Sequence, residues 1–191
     1  MNRKDITKLL TNTLINTRLS DRKYYAKEVT LDYGTSHPKR VDVMQFEPQG
    51  VIYASDIEKG TFTCYEIKSC KEDVYSGNGL RFYGERNYIV TTMECWKNIS
   101  DDFRTGKLNK YIKEKYPDSS TYYGIMVLVP ANLDMRWSDE LFAEFENPTP
   151  LSEDIEWKLA IVSQCRPGPR VRSTTELLFC MLRAKNSATN N

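Results

Sequence analysis

Thr61-Phe62-Thr63-Cys64-Tyr65-Glu66-Ile67-Lys68-Ser69-Cys70-Lys71-Glu72-Asp73-Val74, residues 61–74, is the stretch whose reading decides the fold. Strand side chains alternate with period two, so Phe62, Cys64, Glu66 and Lys68 share one face while Thr63, Tyr65 and Ile67 share the other. A carboxylate and an ammonium thereby point the same way. Ser69 is placed to cap a short helix over Lys71–Tyr75, with Glu72 three residues on as in a capping box. Gly77-Asn78-Gly79 ends that helix.

Toward the N-terminus, Lys39–Phe46 alternates as a second strand and carries one acid, Asp42, before the turn Glu47-Pro48-Gln49-Gly50. Tyr24–Leu31 is β-branched and aromatic, with Glu28 inside it, and Asp32–Pro38 reads as a turn or loop. From Arg3 to about Thr17, Ile6, Leu9, Leu10, Thr13 and Leu14 follow helical spacing, which predicts an amphipathic helix packed on a sheet. Val51–Gly60 fits either a short strand plus loop or a longer hairpin connection.

Toward the C-terminus, Asn87–Thr92 reads as a strand, Glu94–Lys97 as a helical start and Asp101–Tyr116 as a polar helix ended by Pro117, with Gly106 as a weak point. Tyr123–Val129 is continuously apolar, as a strand buried on both faces must be. An acidic helix over Ser138–Phe145, a stiff Asn147–Pro150 loop and a strand at Trp157–Val162 follow. Ser173 and Glu176 stand in S-x-x-E spacing ahead of the last helix. The expected fold class is α/β (α+β) with a mixed central sheet flanked by helices. One domain is expected over residues 1–191: a core at about 5–130, a C-terminal strand and helix at 131–185, and a polar tail at 186–191.

The chain has 191 residues, 40% hydrophobic, 28% charged and 12% aromatic, a composition that excludes a disordered polymer. The net charge of +1 hides an uneven distribution. Residues 1–40 hold nine Lys/Arg against four Asp/Glu, whereas residues 134–156 hold eight acids and one Arg. Solvated faces account for such patches, as do a polyanionic partner at the basic ends and a protein or homodimer contact through the acidic region. Five cysteines without C-x-x-C spacing and one histidine exclude a zinc site of the usual kinds. No apolar run approaches the ~20 residues of a membrane span, and a reduced, cytoplasmic protein is expected.

Asp42 and Glu66 on neighbouring strands, with the main-chain carbonyl of Ile67, offer the oxygen donors that Mg²⁺ or Mn²⁺ prefers. Lys68, two residues beyond Glu66, is placed to orient a water and to stabilise charge on a phosphate. A structural ion-pair cluster is the alternative for the same residues. His37 beside Pro38 reads as a loop residue rather than a base, and Trp96, Trp137 and Trp157 as core or interface anchors.

Three blocks of sequence carry a resemblance to a known superfamily: Lys27–Leu31 with Arg40–Val43, then Glu66–Asp73, then Asn87–Val90. They resemble the PD-(D/E)XK nucleases, in particular MmcB-like DNA-repair proteins and their phage-encoded relatives. Val41 stands where the motif name has Pro. The resemblance implies a restriction-endonuclease-like core and Mg²⁺-dependent hydrolysis of DNA, with Asp42 and Glu66 as metal ligands and Lys68 assisting the water. It also implies Glu28 as an outer ligand. In the basic C-terminal loop, Arg166, Arg170 and Arg172 are candidate phosphate contacts on DNA. A non-cleaving nucleic-acid-binding or phage accessory protein, and a protein-interaction module using the acidic region, fit the same residues.

Overall fold

The computed structural model describes residues 1–19, 24–50, 53–134 and 138–189. One six-stranded mixed sheet runs in sequence order through β1 (Tyr24–Leu31), β2 (Lys39–Glu47), β3 (Thr61–Lys68), β4 (Arg86–Thr92), β5 (Gly124–Pro130) and β6 (Trp157–Ser163). The β1–β2, β2–β3 and β5–β6 pairs are antiparallel, whereas β3–β4 and β4–β5 are parallel. Parallel neighbours need crossover connections. The first contains α3 (Lys71–Val74), and the second contains α4 (Met93–Arg104) and α5 (Lys107–Lys115). The result is an α+β fold with helices on both faces.

On one face lies α1 (Arg3–Leu14), extended by a π-helical turn over Ile15–Leu19. Asn2 caps it by accepting from the N–H groups of Lys4 and Asp5, and Asp5 accepts from Asn2 in return. Leu10 and Leu14 are fully buried against Val43, Tyr65, Ile67 and Val90. The other face is covered in two parts. Helices α4 and α5 pack over Ile89, Ile125 and Val127, and α7 (Thr174–Thr189) packs over Ala26, Met44, Phe62 and Cys64.

Several local expectations are corrected. Gly106 adopts φ +76°, which splits the expected Asp101–Tyr116 helix into α4 and α5. Cys70, not Ser69, is the N-cap of α3 and makes no side-chain capping bond. It is Asp73 that accepts from the Ser69 N–H and hydroxyl, both at 3.2 Å. Residues left open between β2 and β3 contain a short helix, α2 (Ala54–Glu58). The last helix runs to Thr189, so most of the expected tail is helical.

Strict alternation also fails in β1 and β2. Ala26 shares a cluster with Val29 and Leu31, and Val41 shares it with Met44 and Phe46, while Val43 lies on the opposite face. The break in β1 is Glu28, whose φ of +54° is left-handed and rare outside glycine. Lys27 pairs with Val43 and Val29 with Val41, so Glu28 stands opposite Asp42 at the same break.

The acidic helix is α6 (Ser138–Glu146), packed on α4. Some of its region's charge is used internally. Buried Glu144 accepts from the N–H and hydroxyl of Thr149, at 2.9 and 2.7 Å. Trp96 packs edge-on to Phe103, and buried Trp157 donates its indole N–H to the Ser152 carbonyl, so both are core anchors. Trp137 lies outside the described residues. Among those residues no helix is long and apolar enough to cross a membrane.

Because Leu14 is fully buried at the α1–sheet contact, Leu14→Ala should lower unfolding stability by about 2–5 kcal/mol. Urea unfolding of both proteins measures the difference.

Candidate metal site and basic groove

The site forms where the sheet changes from antiparallel to parallel pairing, at the carboxyl end of β3. The β2–β3 ladder stops at Val43–Tyr65, one step before Asp42 would face Glu66. Past that point the Asp42 carboxylate accepts the Ile67 N–H at 2.8 Å, in place of a backbone partner. The N–H and C=O of one residue leave an extended strand on the same side, so the Ile67 carbonyl also faces the gap.

Glu66 has no solvent exposure. One carboxylate oxygen, Oε1, accepts the Arg81 N–H at 3.1 Å, whereas Oε2 is buried with no hydrogen-bond partner. Lys68 Nζ lies 3.8 Å from Oε2 and donates to the Asn78 carbonyl at 2.8 Å. The Lys68 backbone is pinned from the far side, its carbonyl accepting the Thr91 hydroxyl at 2.6 Å. Burial, reinforced by the negative charge of Asp42 and only partly offset by Lys68, pushes the Glu66 carboxyl up to about 8. A desolvated carboxylate with an orphaned oxygen beside a second carboxylate is an environment that favours a cation.

The turn over residues 77–81 closes around this pair. Gly79 adopts φ +96°, and a Cβ there would lie 2.4 Å from Lys68 Nζ and 2.6 Å from Glu66 Oε2. Leu80, buried at φ +60°, is the next residue in the left-handed region. Ser119 holds the turn from behind, donating to the Leu80 carbonyl at 3.0 Å and accepting from the Phe82 N–H at 2.8 Å.

These residues border an open groove of about 1330 Å³ between α1, β1, β2 and the 77–81 turn. Among the described residues that line it, seven are Lys or Arg and three are Asp or Glu. Glu28 lines it, exposed and paired with Arg40 at 2.9 Å. The sequence-predicted Asp42, Ile67 and Lys68 line the groove, with Glu66 buried beside Lys68. Arg166, Arg170 and Arg172 do not line it. Arg170 pairs with Glu85 at 3.0 Å, Arg172 pairs with Asp32 and Glu176, and Arg166 is exposed on the loop before α7.

Sequence reasoning missed the polar face of α1, Arg81 and the enclosing role of Gly79. The α1 face was signalled by Lys4, Thr7, Lys8 and Thr11, which follow the same helical spacing as the apolar face.

The donor set fits a hard divalent ion such as Mg²⁺ or Mn²⁺. Orphaned Glu66 Oε2, the Asp42 carboxylate and the Ile67 carbonyl are all oxygen donors. No group of three or more His, Cys, Asp or Glu with metal-binding geometry occurs among the described residues. Magnesium commonly takes only one or two carboxylates with waters and phosphate, so two suffice.

A carboxyl raised from about 4.5 unfolded to about 8 folded takes up a proton on folding between those values. Its contribution to stability therefore falls as pH rises through that window and levels off above it. Glu66→Gln should remove this fall, which thermal unfolding with chelator across the window detects. Gly79→Ala should cost more than ~1 kcal/mol, since alanine is strained at positive φ and its methyl meets both charged heads. Chemical denaturation measures that loss. Comparison with protein-family models, curated proteins and solved structures yields no match to the chain.

Proposed function

We propose that the protein is a divalent-metal-dependent nuclease that hydrolyses DNA phosphodiester bonds, with the restriction-endonuclease-like core that its sequence resembles. The observation that carries the reading is the orphaned Glu66 Oε2, fully buried 3.8 Å from Lys68 Nζ and within electrostatic reach of Asp42, beside a basic groove. Buried side-chain oxygens are ordinarily satisfied by a hydrogen bond, so an orphaned carboxylate oxygen calls for a ligand or other partner.

Asp42 and Glu66, with the Ile67 carbonyl, would hold Mg²⁺ or Mn²⁺, which supplies Lewis-acid charge and a more acidic water when bound. Asp42 also keeps the β2–β3 gap at fixed width through its bond to the Ile67 N–H. Lys68, anchored by the Asn78 carbonyl, directs its remaining N–H donors at a water and at a phosphoryl oxygen. Water attack on phosphorus breaks one P–O ester bond, leaving a phosphate monoester and a hydroxyl. Lys68 lowers the cost of charge that builds on the phosphoryl oxygens.

Supercoiled plasmid incubated with the protein and Mg²⁺ or Mn²⁺ should be nicked or linearised, and a chelator should stop the reaction. Glu66→Ala and Lys68→Ala should each reduce the rate by roughly 10²-fold or more. Equal cutting by wild type and both variants, or none by any, would overturn the assignment.

A further inference from the structure

Resting on that reading, we infer that the groove takes duplex DNA, gripped through its phosphates by Lys4 and Lys8 of α1 and by Lys27 of β1. Apart from Lys68, which is paired with Glu66, the cations of the groove divide into two sets. Arg3 is paired with Asp73, Arg40 with Glu28, and Arg81 with Asp118, so these brace the groove walls. Lys4, Lys8 and Lys27 line the same groove, are exposed, and have no ion-pair partner among the described residues. They are the positive charge left for a ligand.

Spacing and donor chemistry narrow what that ligand is. Lys4 and Lys8 are about 6 Å apart along the α1 axis, so both ammonium groups face one short stretch of phosphate backbone. Thr7 and Thr11, between and beyond them, donate their hydroxyls to the Arg3 and Thr7 carbonyls at 3.0 and 2.8 Å. The lysine ammonium groups are therefore the unpaired cationic donors there, and they recognise charge rather than a base edge. Among the described residues, the groove lining contains no aromatic ring. Sequence-tolerant single-strand binding uses aromatic platforms on which unpaired bases stack. A cation-lined groove without such platforms suits a duplex, whose bases remain stacked on one another and whose phosphates face outward.

The test is equilibrium binding of a labelled duplex, and of one of its strands alone, to the full chain in chelator at several salt concentrations. Duplex should bind more tightly than the single strand. Each of Lys4→Gln, Lys8→Gln and Lys27→Gln should lower the slope of log K against log salt by roughly 0.9. Lys113→Gln on α5, away from the groove, should leave it unchanged, and circular dichroism confirms that each variant is folded. Single strand bound as tightly as duplex, no duplex binding at low salt, or a triple variant with the wild-type slope would overturn the inference. Slopes that fall as expected in a protein that never cuts support the grip while overturning the cleavage reading. Cutting with slopes that do not fall overturns the grip alone.

Discussion

A single hydrogen bond, from the Ile67 N–H to the Asp42 carboxylate, makes the rest of the site possible. Buried backbone donors must find partners, and a sheet ordinarily supplies them by continuing its ladder. Here β2 leaves β3 after Val43–Tyr65, and a side chain completes the pairing that the backbone abandons. The gap it bridges is bordered by Ile67 and lies beside buried Glu66 and Lys68, so one substitution of ladder by carboxylate sets both the width and the chemistry of the opening. Two features permit this departure. Glu28 switches the facing of β1 opposite Asp42, and Val41 and Met44 stay in one hydrophobic cluster across the same step of β2.

Stability and chemistry oppose one another at Glu66. A fully buried carboxyl with an unsatisfied oxygen is costly, and the left-handed Leu80 beside it adds backbone strain. The surrounding structure holds both in place. Thr91 pins the Lys68 carbonyl, Ser119 grips the turn on both sides of Arg81, and the Phe82 carbonyl accepts from the Ser120 N–H at 2.8 Å. The turn is thereby tied to the segment that follows α5. Asp118 in that segment joins Lys39, Arg81 and Arg172, charges drawn from β2, the turn and the approach to α7.

Elements governed by local pattern were legible in the sequence. Tyr24–Leu31 and Thr61–Lys68 are strands over the residues that β-branched and aromatic composition in the first and alternation in the second indicate, and Asp42 meets Ile67 because β2 is paired with β3 up to Val43–Tyr65. What escaped depends on three-dimensional partners. Glu28 carries no local sign of a left-handed backbone, since glutamate has no preference for it. Asp73 and Glu72 are equivalent as helix-start acids until the fold brings Ser69 to one of them. Arg170 and Arg172 look free in a Pro- and Gly-rich loop, yet Glu85 and Asp32, distant in sequence, meet them. Gly79 reads as punctuation, and only the closed turn shows that its missing side chain is space used by two charged heads.

The left-handed Glu28 has a second effect, on how molecules of this protein meet one another. β1 is an edge strand, and a long flat edge offers unpaired N–H and C=O groups to any neighbouring chain. Glu28 kinks that edge near its middle and, with Lys27, sets exposed charges of both signs along it. At the opposite edge, β6 carries a register irregularity against Ile125 and Met126. Neither border of the sheet is a smooth template, so the same distortion that shapes the groove also guards the protein against edge-to-edge aggregation.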